Sequence, residues 1–138
     1  YKNKRHLIRV IETNGQQAKK QKLPNDVIYT CLLPSDDVLK QRINDRVESM
    51  YDSGFIDEVS DLKKLYSSEQ IALAGIGYKS ALAYINNEID IAQAKKLFKQ
   101  GDWQLARRQK TWFKRNPDIT WFDDNRALQT HILDRLNK

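Results

Sequence analysis

Nine consecutive residues, Arg107-Arg108-Gln109-Lys110-Thr111-Trp112-Phe113-Lys114-Arg115, interleave five cations with two aromatic rings. Guanidinium groups grip phosphate oxygens in pairs, and an indole ring offers a plane on which an unstacked base rests. On a helix, Arg108, Trp112 and Arg115 share one face at i, i+4 and i+7, and Arg107, Thr111 and Lys114 share the adjoining one. That combination suits single-stranded or looped RNA better than a regular duplex, whose bases are not free to stack. The same residues also fit a solvated basic helix with Trp112 in a core.

A second segment is Gly75-Ile76-Gly77-Tyr78-Lys79. Two glycines let a backbone approach a ligand closely, and Tyr and Lys follow at once. It is no dinucleotide fingerprint, because it follows a helical pattern and lacks the third glycine. A helix–helix turn is the simpler reading. The basic first helix, with Arg5, His6 and Arg9, reads most simply as a charged solvent face. Other candidates are weaker. Asp57-Glu58 and Asp123-Asp124 are neighbours in sequence and so do not share a helix face. His6 and His131 are isolated, with no metal-ligand spacing. Cys31 lies in an apolar run, where a small core filler is expected. No Gly-x-Ser-x-Gly elbow and no GxxxxGK[ST] phosphate loop occurs. A self-contained catalytic constellation is not visible.

The elements that must position these residues come from a chain of 138 residues, 40% hydrophobic and 30% charged, with 24 Lys+Arg against 18 Asp+Glu. That is one domain or one and a half, with enough apolar content for a core. The net charge of +6 favours a polyanionic partner only weakly. A single cysteine excludes an internal disulfide framework and a cysteine-built zinc site. The longest nearly apolar run, Val27 to Leu33, is far short of the roughly 20 residues that span a bilayer. No leader segment is evident, so a reduced, cytoplasmic setting without a membrane partner is expected.

Leu7, Ile8, Val10 and Ile11 predict an amphipathic first helix, stopped at Asn14-Gly15. Its abrupt opening at Tyr1 suggests a chain cut from something longer; a trimmed small domain is the plainer account. Gly15 to Asn25 reads as a linker. Val27–Leu33 predicts a strand buried on both faces, as in a parallel sheet. Ile119–Phe122 is the other strand. Two strands make a poor sheet, a second hint that part of the fold lies elsewhere. The remainder is helical. Ser35 caps a helix carrying Leu39, Ile43, Val47 and Met50 and ending at Gly54. Ile56, Val59, Leu62, Leu65 and Tyr66 mark the next. Ser68 opens a third, interrupted at Gly75-Ile76-Gly77 and resumed with Tyr78, Leu82 and Ile85. Asp90 with Gln93 caps a long helix to about Arg115, with Leu97, Phe98, Leu105 and Trp112 or Phe113 on its apolar side. Gly101 inside it is expected to cost about 1 kcal/mol relative to Ala. Leu128, Ile132, Leu133 and Leu136 form a tail helix.

Taken together, several segments resemble one family. Ala106-Arg107-Arg108-Gln109 with Thr111-Trp112-Phe113 is similar to the "AKRQ-x-TWF/L" signature of tRNA dimethylallyltransferases, also called tRNA isopentenyltransferases. Ala72 to Lys79 resembles their "ALQAIGYK" stretch, and Arg5 to Glu12 their "RRVIRALE" helix. Gln41-Arg42-Ile43 through Gly54-Phe55 and Glu58-Val59 resembles their "R-I…R-V…M…G-F…E-V" segment. Ile119 to Asp123 sits where they have a short strand ending in "W-x-D". The matches keep the family's order and cover nearly the whole chain. Asp102-Trp103 departs from the family's Thr-Arg pair, and Ala74-Gly75 from its Gln-Ala.

The resemblance implies an enzyme that transfers a dimethylallyl group from dimethylallyl diphosphate to N6 of the adenosine 3′ to the tRNA anticodon. The target base is flipped out of the loop, because N6 is unreachable while stacked. It implies an α/β fold overall, a P-loop-kinase-like core with a helical insertion, of which this chain is a mostly α-helical part with about two short strands. Residues 1–22 would end the insertion and its linker, and residues 23–138 would be the C-terminal part of the core. The P-loop, the catalytic Asp, the diphosphate-holding Thr and the Mg²⁺ site would lie N-terminal to the matched region, so no catalytic or metal-binding residue is assigned in this chain. The segments carried over as contacts to the tRNA anticodon stem-loop are Gly75, Ile76, Gly77, Tyr78 and Lys79, and Arg107, Arg108, Gln109, Lys110, Thr111, Trp112, Phe113 and Lys114, with Arg5 and Arg9 more remotely. The alternatives are a stand-alone basic helical RNA-binding module without catalysis, and a helical interaction protein with no nucleic-acid role.

Overall fold

The computed structural model describes residues 4–15, 24 and 27–137; the linker expected over Gly15–Asn25 falls almost wholly outside them. In chain order the elements are α1 (Lys4–Glu12), β1 (Thr30–Leu32), α2 (Asp36–Asp52), α3 (Phe55–Leu65), α4 (Ser68–Leu73), α5 (Ile76–Ile85), α6 (Ile91–Phe113), β2 (Thr120–Phe122) and α7 (Asn125–Leu136). The chain is mostly helical with one parallel strand pair, as the sequence implies. The first helix stops at Asn14 and Gly15, both at positive φ, where its amphipathic pattern ends. No other described element packs against α1, so Leu7, Ile8, Val10 and Ile11 stay exposed.

Helices α2 to α6 form the packed body. Ser35 caps α2, its hydroxyl accepting from the Val38 N–H at 3.3 Å, with Asp36 and Asp37 against the positive end of the dipole. Gly54, at φ 92°, turns the chain directly into α3, a conformation that a side chain would strain. Ser68 opens α4, and the cap before it is Ser67. Its hydroxyl accepts from the Gln70 N–H while the Gln70 side chain accepts from the Ser67 N–H, so both orphan donors are satisfied. The interruption after α4 is narrower than the sequence suggests. Only Ala74 and Gly75 break the run, Gly75 at φ 156°, and Ile76 and Gly77 already belong to α5.

The core joins Val47 and Tyr51 of α2, Phe55 and Val59 of α3, Ile71 of α4, Ala81 and Leu82 of α5, and Ala94 and Phe98 of α6. Phe55 is its hub, with the rings of Tyr51, Tyr78 and Phe98 at centroid distances of 5.7, 5.3 and 5.8 Å. Each large side chain removed from water here contributes about 1.5–3 kcal/mol.

Four apolar assignments change, those of Leu65, Tyr66, Leu97 and Leu105, and of the pair Trp112 or Phe113 it is Phe113 that is half-buried. Leu65 (76% exposed) and Tyr66 lie outside the core. On α6 the buried stripe is Ala94, Phe98 and Gly101, while Leu97, Leu105 and Trp112 are exposed. The reason is Gly101, which brings α6 close to α5. A Cβ there would lie 2.2 Å from the Ile76 Cγ2, and one at Gly77 would lie 2.4 Å from the Phe98 Cζ. Each glycine of this pair of helices thus receives a large side chain from the other.

The strand over Val27–Leu33 is corrected as well. Only Thr30–Leu32 pairs, in parallel with β2 (Thr30 opposite Thr120, Cys31 opposite Trp121, Leu32 opposite Phe122), and Val27, Tyr29 and Leu32 are exposed. Two-sided burial needs layers on both faces. Among the described residues α7 packs on the pair, through contacts such as His131 against Phe122 at 5.1 Å, and no helix of the α2–α6 body does. Of the tail-helix stripe, Leu128 and Ile132 are half-buried and Leu133 and Leu136 exposed.

Candidate nucleic-acid interface

Helix α6 carries the site, and α2 runs antiparallel beside it, fixing which α6 cations are free. Asp36, at the start of α2, accepts from the Lys110 Nζ at 2.8 Å, a bond that pulls its carboxyl below the usual range. One turn on, the Lys40 ammonium sits 5.1 Å from the centre of the Trp103 ring. Arg46 then pairs with Asp102 and stacks its guanidinium 5.8 Å from Phe98. Glu48 accepts from both Lys95 and Lys99 at 2.5 Å. Asp102 and Trp103, the two departures from the family pattern, therefore take α2 cations as partners.

The two lysine hydrogen bonds hold the Glu48 carboxyl down to about 2, from an ordinary 4.5. A carboxylate lowered in the folded state stabilises it fully above about 4.5 and loses that contribution as pH falls towards about 2. Acid titration of stability is expected to show a limb in that window which Glu48→Gln lacks. Equal acid midpoints for the two proteins would contradict the assignment.

The cations further along take no carboxylate partner, although Arg107 lies near enough to Asp36 to help lower its carboxyl. Gln104, Arg107, Arg108, Thr111, Trp112 and Arg115 line an open groove of about 510 Å³. Arg107, Arg108, Lys114 and Arg115 are exposed and form no ion pair among the described residues. Trp112 is 65% exposed, its ring edge-on to Phe113 at 4.9 Å, so it is a surface plane rather than a core residue. The Thr111 hydroxyl donates to its own helix at the Arg107 carbonyl, 2.9 Å away. Gln109 is exposed but does not line the groove, and Lys110 and the half-buried Phe113 also lie outside it.

The glycine segment is split by function. Ile76 and Lys79 line a cleft of about 650 Å³ among α4, α5 and α6. Gly77 faces Phe98 instead, and Gly75 forms the helix break. The Tyr78 hydroxyl donates to the Glu58 Oε1 at 2.7 Å, a bond that raises its pKa. The groove and the cleft meet at Gln104, which lines both. Ile76 and Lys79 thus share a single lining residue, Gln104, with the arginine groove, whereas α1, the helix of Arg5 and Arg9, packs against no other described element. Gln100, Gln104 and Arg115 were not among the assigned contacts. Their positions follow from the spacing 97, 100, 104, 108, 111, 115 along one stripe of α6, legible once Gly101 is read as a contact and not a breaker. Among the described residues no three His, Cys, Asp or Glu side chains gather as metal ligands.

A family model described as IPP transferase matches residues 2–116, most of the chain. The chain belongs to the IPP transferase family. Among curated relatives of this IPP transferase chain, a tRNA dimethylallyltransferase of Desulfitobacterium hafniense (strain Y51) is 34% identical over 127 residues, 91% of the chain and 40% of the relative. One from Carboxydothermus hydrogenoformans is 32% identical over 131 residues, 95% of the chain and 42% of the relative. The solved tRNA isopentenylpyrophosphate transferase of Bacillus halodurans superposes with a TM-score of 0.71 at 28% identity, over 96% of this chain and 45% of that one. The chain thus spans about 40% of the length of the curated relatives it matches.

Proposed function

We propose that this chain acts as the tRNA-contacting part of a tRNA dimethylallyltransferase, which moves a dimethylallyl group from dimethylallyl diphosphate to N6 of the adenosine 3′ to the anticodon. The observation that carries this reading is the segregation of charge on α6. Lys95, Lys99 and Lys110 are spent on α2 carboxylates, while Arg107, Arg108 and Arg115 line a groove with an exposed indole and no carboxylate. Such a surface holds phosphates through the guanidinium groups and a base against the ring. Gly77 and Tyr78 line neither this groove nor the adjoining cleft: Gly77 packs against Phe98, and Tyr78 is tied to Glu58. The isolation of α1 agrees with assigning residues 1–22 to the end of an insertion domain and residues 23–138 to the core. A cytoplasmic setting follows from a tRNA substrate, and no described helix is long and apolar enough to cross a membrane.

The test is the affinity of the 138-residue chain for an anticodon stem-loop RNA. Replacing Arg107 and Arg108 by Ala is expected to weaken binding about tenfold or more at 0.1 M salt and to lower the salt slope by about two. Unchanged affinity and slope would remove the reading. No prenyl transfer is expected from the chain alone, which contains no phosphate-cradling loop motif. Turnover of dimethylallyl diphosphate by the purified chain would contradict this.

A further inference from the structure

The charge pattern changes sharply along the stripe of α6 that faces away from α2. The groove holds Arg107, Arg108 and Arg115 and no carboxylate. The adjoining cleft holds one cation, Lys79, against two carboxylates, Glu69 and Glu88. Ala72, Ile76, Leu82, Ala83 and Leu97 give it apolar walls, Ser68, Ser80 and Asn86 add neutral polar groups, and the amides of Gln100 and Gln104 stand where it opens towards the groove. A phosphate is repelled from such a cleft and held in the groove. A neutral heterocycle is suited to it in both shape and chemistry. Its faces meet aliphatic side chains, its amino groups find carboxylate and amide acceptors, and its ring acceptors find amide N–H donors. The cleft, at about 650 Å³, is within the range of small-ligand pockets. Gln104 lies roughly 6 Å along the helix axis from Arg108, so a base in the cleft keeps its own backbone beside the guanidinium.

We infer that the α4–α5–α6 cleft is a recognition subsite for one unpaired, amino-bearing base of the bound RNA, read by Gln100, Gln104 and Glu69 while Arg107 and Arg108 hold its flanking phosphates. This rests on the RNA-contacting reading above. The subsite selects among RNA loops and performs no chemistry, because the diphosphate-binding apparatus is not built from these residues.

The test uses the 138-residue chain and two hairpin RNAs with the same stem and backbone, one with a normal loop and one with abasic loop nucleotides. The normal loop is expected to bind about tenfold tighter. Gln100→Ala, at an exposed position that lines the cleft and not the groove, is expected to bring the two hairpins within about threefold without altering affinity for the abasic one. Trp112→Ala separates out stacking on the groove, and most of the preference is expected to survive it. The inference is overturned if both hairpins bind equally, or if the preference persists in the glutamine variant and disappears in the tryptophan variant. Failure of the underlying reading has a different signature: Arg107→Ala/Arg108→Ala then leaves binding of the abasic hairpin unchanged. Absence of binding to either hairpin at low salt overturns both.

Discussion

Phe98→Ala is expected to lower the stability of this chain by about 3–5 kcal/mol, the usual loss for an aromatic truncated in a close-packed core. Phe98 is 5% exposed, its ring tilted against Phe55, covering Gly77 and lying under the Arg46 guanidinium. Four helices meet there. Truncation removes the ring's own transfer energy and leaves a cavity that the backbones of α5 and α6 cannot close without moving. Against a total of about 5–15 kcal/mol for a typical domain, this is a large share. Urea unfolding followed by far-ultraviolet circular dichroism measures it directly. A loss under about 1 kcal/mol would mean that the α5–α6 packing described here is wrong. The effect reaches the cleft, which exists only while α5 and α6 stay in register.

Gly77→Ala is expected to be the second most damaging change, with a net loss of about 2 kcal/mol. Ala is the better helix former by about 1 kcal/mol, so propensity alone favours the substitution. Packing opposes it. The new methyl would sit 2.4–2.9 Å from three atoms of the Phe98 ring, which is buried and has nowhere to go. Overpacking of this kind costs about 1–3 kcal/mol, occasionally more, and prevails here because the ring is rigid. Gly101→Ala meets Ile76, a side chain 37% exposed and able to swing outward, so a smaller loss is expected there. The pair Gly101→Ala/Ile76→Ala is expected to be more stable than the sum of its single variants, the signature of a shared contact. A stabilised Gly77→Ala would return that glycine to the role of a ligand-facing residue.

These glycines show where sequence reading succeeded and where it stopped. Capping chemistry is local, and so Ser35, Asp90 and the stop at Asn14-Gly15 were legible in the order of the residues. Helical periodicity placed α2, α3, α5 and α6, and the two β-rich runs paired in parallel. What a helix touches is not local. Gly101 read as a weak point because nothing in its own segment reveals that Ile76 arrives over it. Leu65 and Trp112 satisfied the helical spacing and still face solvent, since spacing defines a stripe without saying how wide the neighbouring surface is. The cationic run was visible as a run. Its division into one paired lysine, Lys110, and the unpaired Arg107, Arg108, Lys114 and Arg115 needed α2, whose Asp36 lies 74 positions from Lys110. Likewise Gln104 gained its place only when the cleft and groove proved to be continuous.

The way α6 is held has a consequence for how it moves. Its 23 residues extend about 35 Å, and its fully buried positions end at Gly101. Beyond that point α2 supports it through the Arg46–Asp102 and Lys110–Asp36 pairs and the half-buried Trp103, while α5 does not extend further along it. Amide hydrogen exchange should therefore divide the helix, slow up to about residue 101 and faster towards Phe113, because local opening costs least where burial is least. Salt screens these two pairs, so raising it loosens the arginine-bearing end even before RNA is present. The salt dependence of RNA binding should then exceed what counting phosphate contacts alone predicts, with the excess appearing as faster exchange in the free protein.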